Sequence, residues 1–118
     1  MNQQKTGVRA EVLGRITVAP RLARTLDGVA ICRFTVATEV GPASRPLVKP
    51  IYVQGNPSLR PSEDLPVRIK EKLQVGDLVY VPGYELQRPR KRRGVEYIES
   101  AIAAQDVRLR ERGEVRGG

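Results

Sequence analysis

Residues 12–38 read VLGRITVAPRLARTLDGVAICRFTVAT and predict two β-strands that flank a connection. The first strand is predicted over Val8 to Val18, with Gly14 as a bulge or sharp bend. Residues 19–27 are predicted to form the connection, which ends at the turn signal Asp27-Gly28. The second strand is predicted over Val29 to Glu39. Its alternate residues are expected to face a core, namely Ala30, Cys32, Phe34 and Val36.

The remaining chain predicts a loop over 40–46, three further strands and one short helix. The third strand is predicted over Val48 to Gln54, with Ile51 and Val53 inward. A helix is expected within 63–73, with Ser62 or Asp64 as its cap, Pro66 in its first turn and Gly76 as its stop. The fourth strand is predicted over Asp77 to Gln87, kinked at Pro82-Gly83, and the fifth over Val95 to Leu109, bulged near Ala103-Ala104.

Five strands with one helix between the third and fourth is the order of an OB-fold, a small all-β barrel. We therefore predict an OB-fold nucleic-acid-binding domain over residues 7–110. The remaining residues 111–118 are charged, rich in glycine and without core side chains, so we expect them to form a disordered tail.

The run RPRKRRG at 88–94 carries five positive charges in six residues and then a glycine. It falls between the fourth and fifth predicted strands, so we expect it at the tip of a basic hairpin. Lysine and arginine contacts to phosphates release condensed counterions, which makes such a run typical of nucleic-acid binding. OB-folds bind oligonucleotides on the face of strands 2 and 3, helped by the 1–2 and 4–5 loops.

Composition narrows the function classes further. The 118 residues carry a net charge of +8, no histidine and a single cysteine, Cys32, which we expect to be buried and inert. Without histidine, metal-ligand spacing or a nucleophile motif, we expect no enzyme activity, no cofactor and no metal. No apolar run approaches the roughly 20 residues that a membrane span needs, and the start lacks a signal-peptide pattern. We therefore expect a cytoplasmic protein with no membrane partner.

Three segments resemble the bacterial single-stranded DNA-binding protein family, over roughly residues 8–110. The first is the quoted stretch, where Pro20, Leu22, Thr25, Gly28, Arg33, Phe34 and Ala37 stand at the family's spacing. The others are LQVGDLVYVPGYEL (73–86) and GVEYIESAIAAQDVRLRE (94–111). The resemblance implies an OB-fold that binds single-stranded DNA with little sequence preference and assembles as a homodimer or homotetramer. Its role would be to protect or organise exposed strands in replication, recombination or repair.

The chain also departs from that family. It has no tryptophan, carries Gln54 and Ala23 where an aromatic and an arginine are usual, and ends basic rather than acidic. In these respects the chain resembles the primosomal replication protein N type, a relative that relies less on aromatic side chains. Two alternatives therefore stay open beside the first prediction. One is an adaptor that acts mainly through replication or primosome proteins, and the other is an RNA-binding OB protein.

The candidate nucleic-acid contacts lie on the outward face of the predicted strands and on the basic run. Tyr52 is either a stacking platform or part of a subunit interface. Tyr84 and Tyr97 are expected to be cross-strand neighbours, and Tyr80 to pack in the barrel or a subunit interface. The predicted contact set is Arg15, Arg33, Thr35, Tyr52, Gln54, Tyr84, Arg88, Arg90, Lys91, Arg92, Arg93 and Tyr97. Arg21 and Arg24 are further candidates in the 1–2 loop, and Glu96 and Glu99 are expected to pair with the basic tip.

Overall fold

The structure is a computed structural model, and it describes residues 4–38 and 47–113. The predicted loop at 40–46 lies outside the described residues, as do residues 1–3 and 114–118. The strands are β1 (Gln4–Arg24), β2 (Ala30–Thr38), β3 (Leu47–Gln54), β4 (Leu78–Arg92), β5 (Val95–Ala104) and β6 (Arg108–Glu111). One α-helix, α1 (Leu65–Lys72), follows a 3-10 turn at Pro61–Glu63. Neither helix is long and apolar enough to cross a membrane, within the described residues.

The predicted OB-fold is confirmed. The sheet runs in the order β1-β2-β3-β5-β4-β6, and an added pairing of β1 with β4 closes the first five strands into a ring. Neighbours pair antiparallel except β3 and β5, whose parallel pairing is confined to two residue pairs. The sequence prediction did not include the sixth strand, which extends the sheet beyond the ring.

The core fills the inside of this ring. The inward residues predicted for β2 and β3 are all buried, because alternate side chains of a strand point to the same face. α1 packs against β1, β2 and β3 and inserts Ile69 into the core, while Leu65 and Leu73 pack beside it. The core residues are Val12, Ile16, Cys32, Phe34, Val36, Ile51, Val53, Ile69, Val79, Val81 and Ile102.

The first strand is longer than predicted, since β1 continues through the residues assigned to a connection and ends at Arg24. Its pairing with β2 shifts register twice, between Ile16 and Val18 and again between Val18 and Arg21. These bulges let the strand curve from one edge of the ring to the other and accommodate Pro20, which cannot donate to a regular ladder. The bulges lie beyond Gly14. That glycine allows a close approach instead, because a Cβ there would lie 2.6 Å from the carbonyl oxygen of Ala37.

The basic run is part of a strand rather than a loop. β4 extends to Arg92 and β5 begins at Val95, so the predicted end of the fourth strand at Gln87 is wrong. The turn between them has two residues, Arg93 and Gly94, with φ of 52° and 80°. Positive φ at both positions marks the hairpin turn whose twist matches that of the flanking strands. The positive charges therefore lie on a two-stranded arm closed by a tight turn.

The predicted fifth strand divides into two. β5 ends at Ala104, and Asp106 then turns the chain by accepting from the backbone nitrogen of Val107 at 2.9 Å. β6 follows and pairs with the start of β4. Beyond it, Gly113 is buried and its backbone nitrogen donates to Asp77 at 2.7 Å. Residues 111–113, predicted to belong to the tail, are therefore part of the folded domain.

The interactions at the two ends of α1 differ from those that the sequence predicted. Asp64 occupies the cap position, but its carboxylate accepts from the backbone nitrogen of Asn56 at 2.9 Å and makes no cap hydrogen bond. Pro66 lies in the first turn, as predicted. The helix ends at Lys72, before Gly76, whose φ of 96° serves the following turn into β4.

Candidate nucleic-acid interface

One row of outward side chains crosses four strands of the barrel. Arg33 on β2 lies opposite Tyr52 on β3, Tyr52 lies opposite Ala103 on β5, and Ala103 lies opposite Tyr84 on β4. Directly opposed residues of neighbouring strands share one face, so these four side chains project outward together. The predicted outward orientation of Arg33 and Tyr52 is confirmed by this register.

Tyr52 stands between two hollows on this face. The first, of about 310 Å³, is lined by Arg21, Arg33, Thr35, Tyr52 and Glu99, together with less polar neighbours. The second, of about 480 Å³, is lined by Tyr52, Gln54 and Ala103 among others. Tyr52 lines both hollows, and we call the two together the β2–β3 groove.

The ring of Tyr52 is held by arginines on its faces and edge. The Arg88 guanidinium lies 4.5 Å from the ring centroid and the Arg33 guanidinium 6.0 Å, both within cation–π range. The Tyr52 hydroxyl donates to Glu99 at 3.3 Å and accepts from Arg90 at 3.4 Å. A stacking base must therefore displace a guanidinium from this ring or lie on top of it.

Arg90 and Glu99 form the groove's ion pair, with 3.5 Å between Nε and the carboxylate oxygen. Burial acts to lower the pKa of Arg90, but the Glu99 carboxylate and the Tyr52 hydroxyl outweigh it and raise that pKa. Arg90 therefore stays charged. The expectation that Glu99 pairs with the basic run is confirmed, whereas Glu96 lies opposite Lys91 without an ion pair among the described residues.

Arg88 is held less completely than Arg90. Its Nη1 atom is buried and has no hydrogen-bond partner within the described residues. An unsatisfied buried donor costs about 1–3 kcal/mol. Movement of Arg88 off the ring toward a phosphate oxygen would recover that cost and expose a face of Tyr52 at the same time.

The far part of the hairpin presents charge without partners. Lys91, Arg92 and Arg93 are exposed and form no ion pair within residues 4–38 and 47–113. Arg92 shares the face of Arg88 and Arg90, and Lys91 points to the other side of the ribbon. Tyr97 lies opposite Arg90 and is 44% exposed, beside the strongly exposed Ile98.

One member of the predicted set, Arg15, lies away from the groove. Arg15 donates to the carbonyl oxygen of Gly76 at 3.0 Å and pairs with Glu111 at 2.9 Å, which ties it to the β6 side. Arg15 lies opposite Ala37, before the two bulges in β1, and the bulges bring Arg21 opposite Arg33. Arg21 therefore belongs to the groove although it was outside the predicted set, and it lies in β1 rather than in a loop.

Tyr84 and Tyr97 are not cross-strand neighbours. The short turn at the hairpin tip places Tyr84 opposite Ala103 and Tyr97 opposite Arg90, so the predicted pair is wrong. Tyr84 instead contacts the Arg9 guanidinium, 5.5 Å from its ring centroid, and its hydroxyl accepts from Gln105 at 3.4 Å. Arg24, the other loop candidate, donates to the carbonyl oxygen of Gly28 at 3.3 Å and is also part of β1.

The fold is similar to a solved structure of a mitochondrial single-stranded DNA-binding protein from S. cerevisiae. The TM-score is 0.68 and the identity 16%, and the match covers 96% of this chain and 100% of that chain. Comparison with models of protein families and with curated proteins found no match. The similarity supports the fold of the single-stranded DNA-binding protein type, with no corresponding support for the primosomal replication protein N type. The chain therefore has an OB-fold with a basic, tyrosine-centred groove on the face of β2 and β3.

Proposed function

We propose that this protein binds single-stranded DNA in the β2–β3 groove and along the basic hairpin, with little sequence preference. The proposal rests on the environment of Tyr52. Its ring faces outward and lines two hollows, and the guanidinium groups of Arg33 and Arg88 lie over the ring. Single-strand binders combine a positive groove for the backbone with aromatic platforms for the bases. The similar fold of a mitochondrial single-stranded DNA-binding protein is consistent with this use of the face.

Each group has a distinct part in the proposed complex. Arg21 and Arg33 bind phosphates along the groove, and Lys91, Arg92 and Arg93 bind phosphates that leave it along the hairpin. A base stacks at Tyr52, either on the ring after Arg88 moves away or on the flat guanidinium itself. Thr35 and Gln54 can hydrogen-bond to the backbone or base edges. No step requires bond making or breaking, so the proposed activity is binding, with protection or organisation of exposed strands as its role.

Titration of fluorescent dT oligomers at two salt concentrations tests the proposal. We expect sub-micromolar, length-dependent binding that weakens as salt rises, because bound phosphates release counterions. Competition with poly(U) then separates DNA from RNA preference, since both polymers present phosphates and bases that can stack. Weak binding of both polymers, even at low salt, would contradict the proposal and favour the adaptor alternative.

We also propose that the protein is a homo-oligomer, a dimer or a tetramer. The outer edge of β6 and the edge of β5 over residues 95–100 have no further strand beside them within the described part of the chain. Unpaired edges are surfaces on which another strand can pair. Sedimentation velocity at micromolar concentration measures the state directly, and a monomer throughout would contradict this part.

A further inference from the structure

A second group of tyrosines and arginines lies beyond the β2–β3 groove, on the outer face of β1, β4 and β6. Tyr80 lies on β4, four residues before Tyr84, so the two side chains share one face. The guanidinium groups of Arg110 and Arg108 lie 5.2 and 6.0 Å from the Tyr80 ring centroid. Tyr80 therefore does not pack inside the barrel, one of the two positions that its sequence context predicted.

The charges around this second group are mixed but favour an anion. The pKa of the Tyr80 hydroxyl is raised, mainly by its hydrogen bond to Glu11 and further by burial, while the nearby Arg108 and Arg9 act to lower it. Arg108 is paired with Asp106 at 3.0 Å. Arg110 forms no ion pair within the described residues, and Arg9 donates to an uncharged amide, that of Gln105, at 3.1 Å. Two of the three arginines thus remain available to phosphates.

The row across the barrel connects this group with the groove. Only Ala103, a small side chain, separates Tyr52 from Tyr84 across the strands. Two strand spacings put these rings about 10 Å apart, and four residues along β4 put Tyr84 about 13 Å from Tyr80. The three tyrosines thus form a line of platforms, each with an arginine on its ring.

We propose that one continuous single strand of DNA extends from the β2–β3 groove over Ala103 and binds a second track formed by Tyr84, Tyr80, Arg9 and Arg110. This inference rests on the proposed function and extends its site. Site sizes of OB-folds range from about 4 to about 16 nucleotides. The groove alone serves the short end of that range, and the added track requires an oligonucleotide near the long end.

Affinity as a function of oligonucleotide length tests the second track. Wild type, Tyr80→Ala and Arg110→Ser are titrated with dT oligomers of about 4 to about 16 nucleotides. Arg68→Ser is the matched control, because Arg68 is also an exposed arginine and lies on α1, away from both tracks. We expect all four proteins to bind the shortest oligomers alike. For the longest, Tyr80→Ala should bind about fivefold more weakly, from the low end of the stacking energy.

Arg110→Ser provides a second test in case a thermal melt shows that Tyr80→Ala is destabilised or unfolded. It should reduce the salt slope by about 0.7 for long oligomers and leave it unchanged for short ones. Unchanged binding of long oligomers by both variants would overturn the second track, and so would an equal loss at every length. A change of oligomeric state without a change in DNA binding would overturn it too, in favour of a contact between copies. Failure of the wild type to bind any oligomer would instead refute the proposed function itself.

Discussion

The unpaired charges of the hairpin give the sharpest test of the groove's electrostatics. Lys91, Arg92 and Arg93 have no ion pair within the described residues, whereas Arg90 pairs with Glu99. The variant Lys91→Ser/Arg92→Ser/Arg93→Asn removes the three unpaired charges alone. Asparagine is the choice at the third position because its backbone φ is 52°, and Asn before Gly suits this turn. The hairpin should therefore keep its shape.

The expected magnitude follows from the number of contacts. Each phosphate contact adds about −0.7 to the slope of log affinity against log salt for a single strand. Three lost contacts should make the slope shallower by about 2. Between 50 and 200 mM salt, the wild type should consequently lose about 16-fold more affinity than the variant does. At low salt the variant should bind more weakly than the wild type, and the difference should shrink as salt rises.

Fluorescence anisotropy with a dT oligomer over that salt range measures both slopes. The variant Arg68→Ser/Lys70→Ser/Lys72→Ser is the control, because it removes the same charge from three exposed positions on α1. We expect its slope to match that of the wild type. An unchanged slope for the hairpin variant would refute the assignment of phosphate contacts to the hairpin. Equal changes in both variants would show that net charge, rather than these side chains, sets the salt dependence.

Three further expectations concern single residues. Tyr52→Ala should weaken binding of dT oligomers by about 1–3 kcal/mol, and Tyr52→Phe by less, because the ring rather than the hydroxyl stacks; equal losses in anisotropy titrations would contradict this. Asp77→Ala should lower the free energy of unfolding in urea by about 3 kcal/mol, since its buried carboxylate accepts from Gln74, Arg112 and Gly113; a loss below about 1 kcal/mol would contradict it. Burial raises the pKa of Cys32 to about 11, against the opposing effect of a nearby lysine, so a thiol reagent at pH 8 should label it only in urea. Since its folded pKa lies above its unfolded value, its contribution to stability is complete below about pH 9 and is lost as the pH rises toward 11, and Cys32→Ala should lack that loss.

The barrel could be predicted because buried core residues alternate with outward residues along its strands. Cys32, Phe34 and Val36 alternate with polar or small residues, and Ile51 and Val53 do so on the neighbouring strand. Such alternation predicts both a β-strand and the face of it that is buried, and the prediction does not require the partner strand to be known. The outward orientation of Tyr52 could be predicted from the same pattern, since Tyr52 lies between the inward residues Ile51 and Val53.

Pairing between strands could not be predicted in the same way. The two bulges of β1 insert residues that leave no clear mark in the sequence, and they bring Arg21 opposite Arg33, where an unbulged register would place Ala19. Likewise, the run of charges in β4 reads as a loop, although cross-strand partners such as Glu99 and the tight turn at Arg93 keep it extended. Register depends on where a turn closes, and one residue of error changes every later pair.

Aromatic side chains are few in this chain, and arginines lie over most of the tyrosine rings. Within residues 4–38 and 47–113, Tyr52, Tyr80 and Tyr84 each have a guanidinium within 6.0 Å of the ring centroid, so each ring also marks a point of positive charge. A guanidinium is flat and weakly hydrated, so it can stack with a base and bind a phosphate from the same position. Stacking and charge are then coupled rather than additive contributions, because loss of a tyrosine also releases the arginine that the ring positions. Under the proposed function, single strands are then bound with few aromatic rings and with a strong dependence on salt.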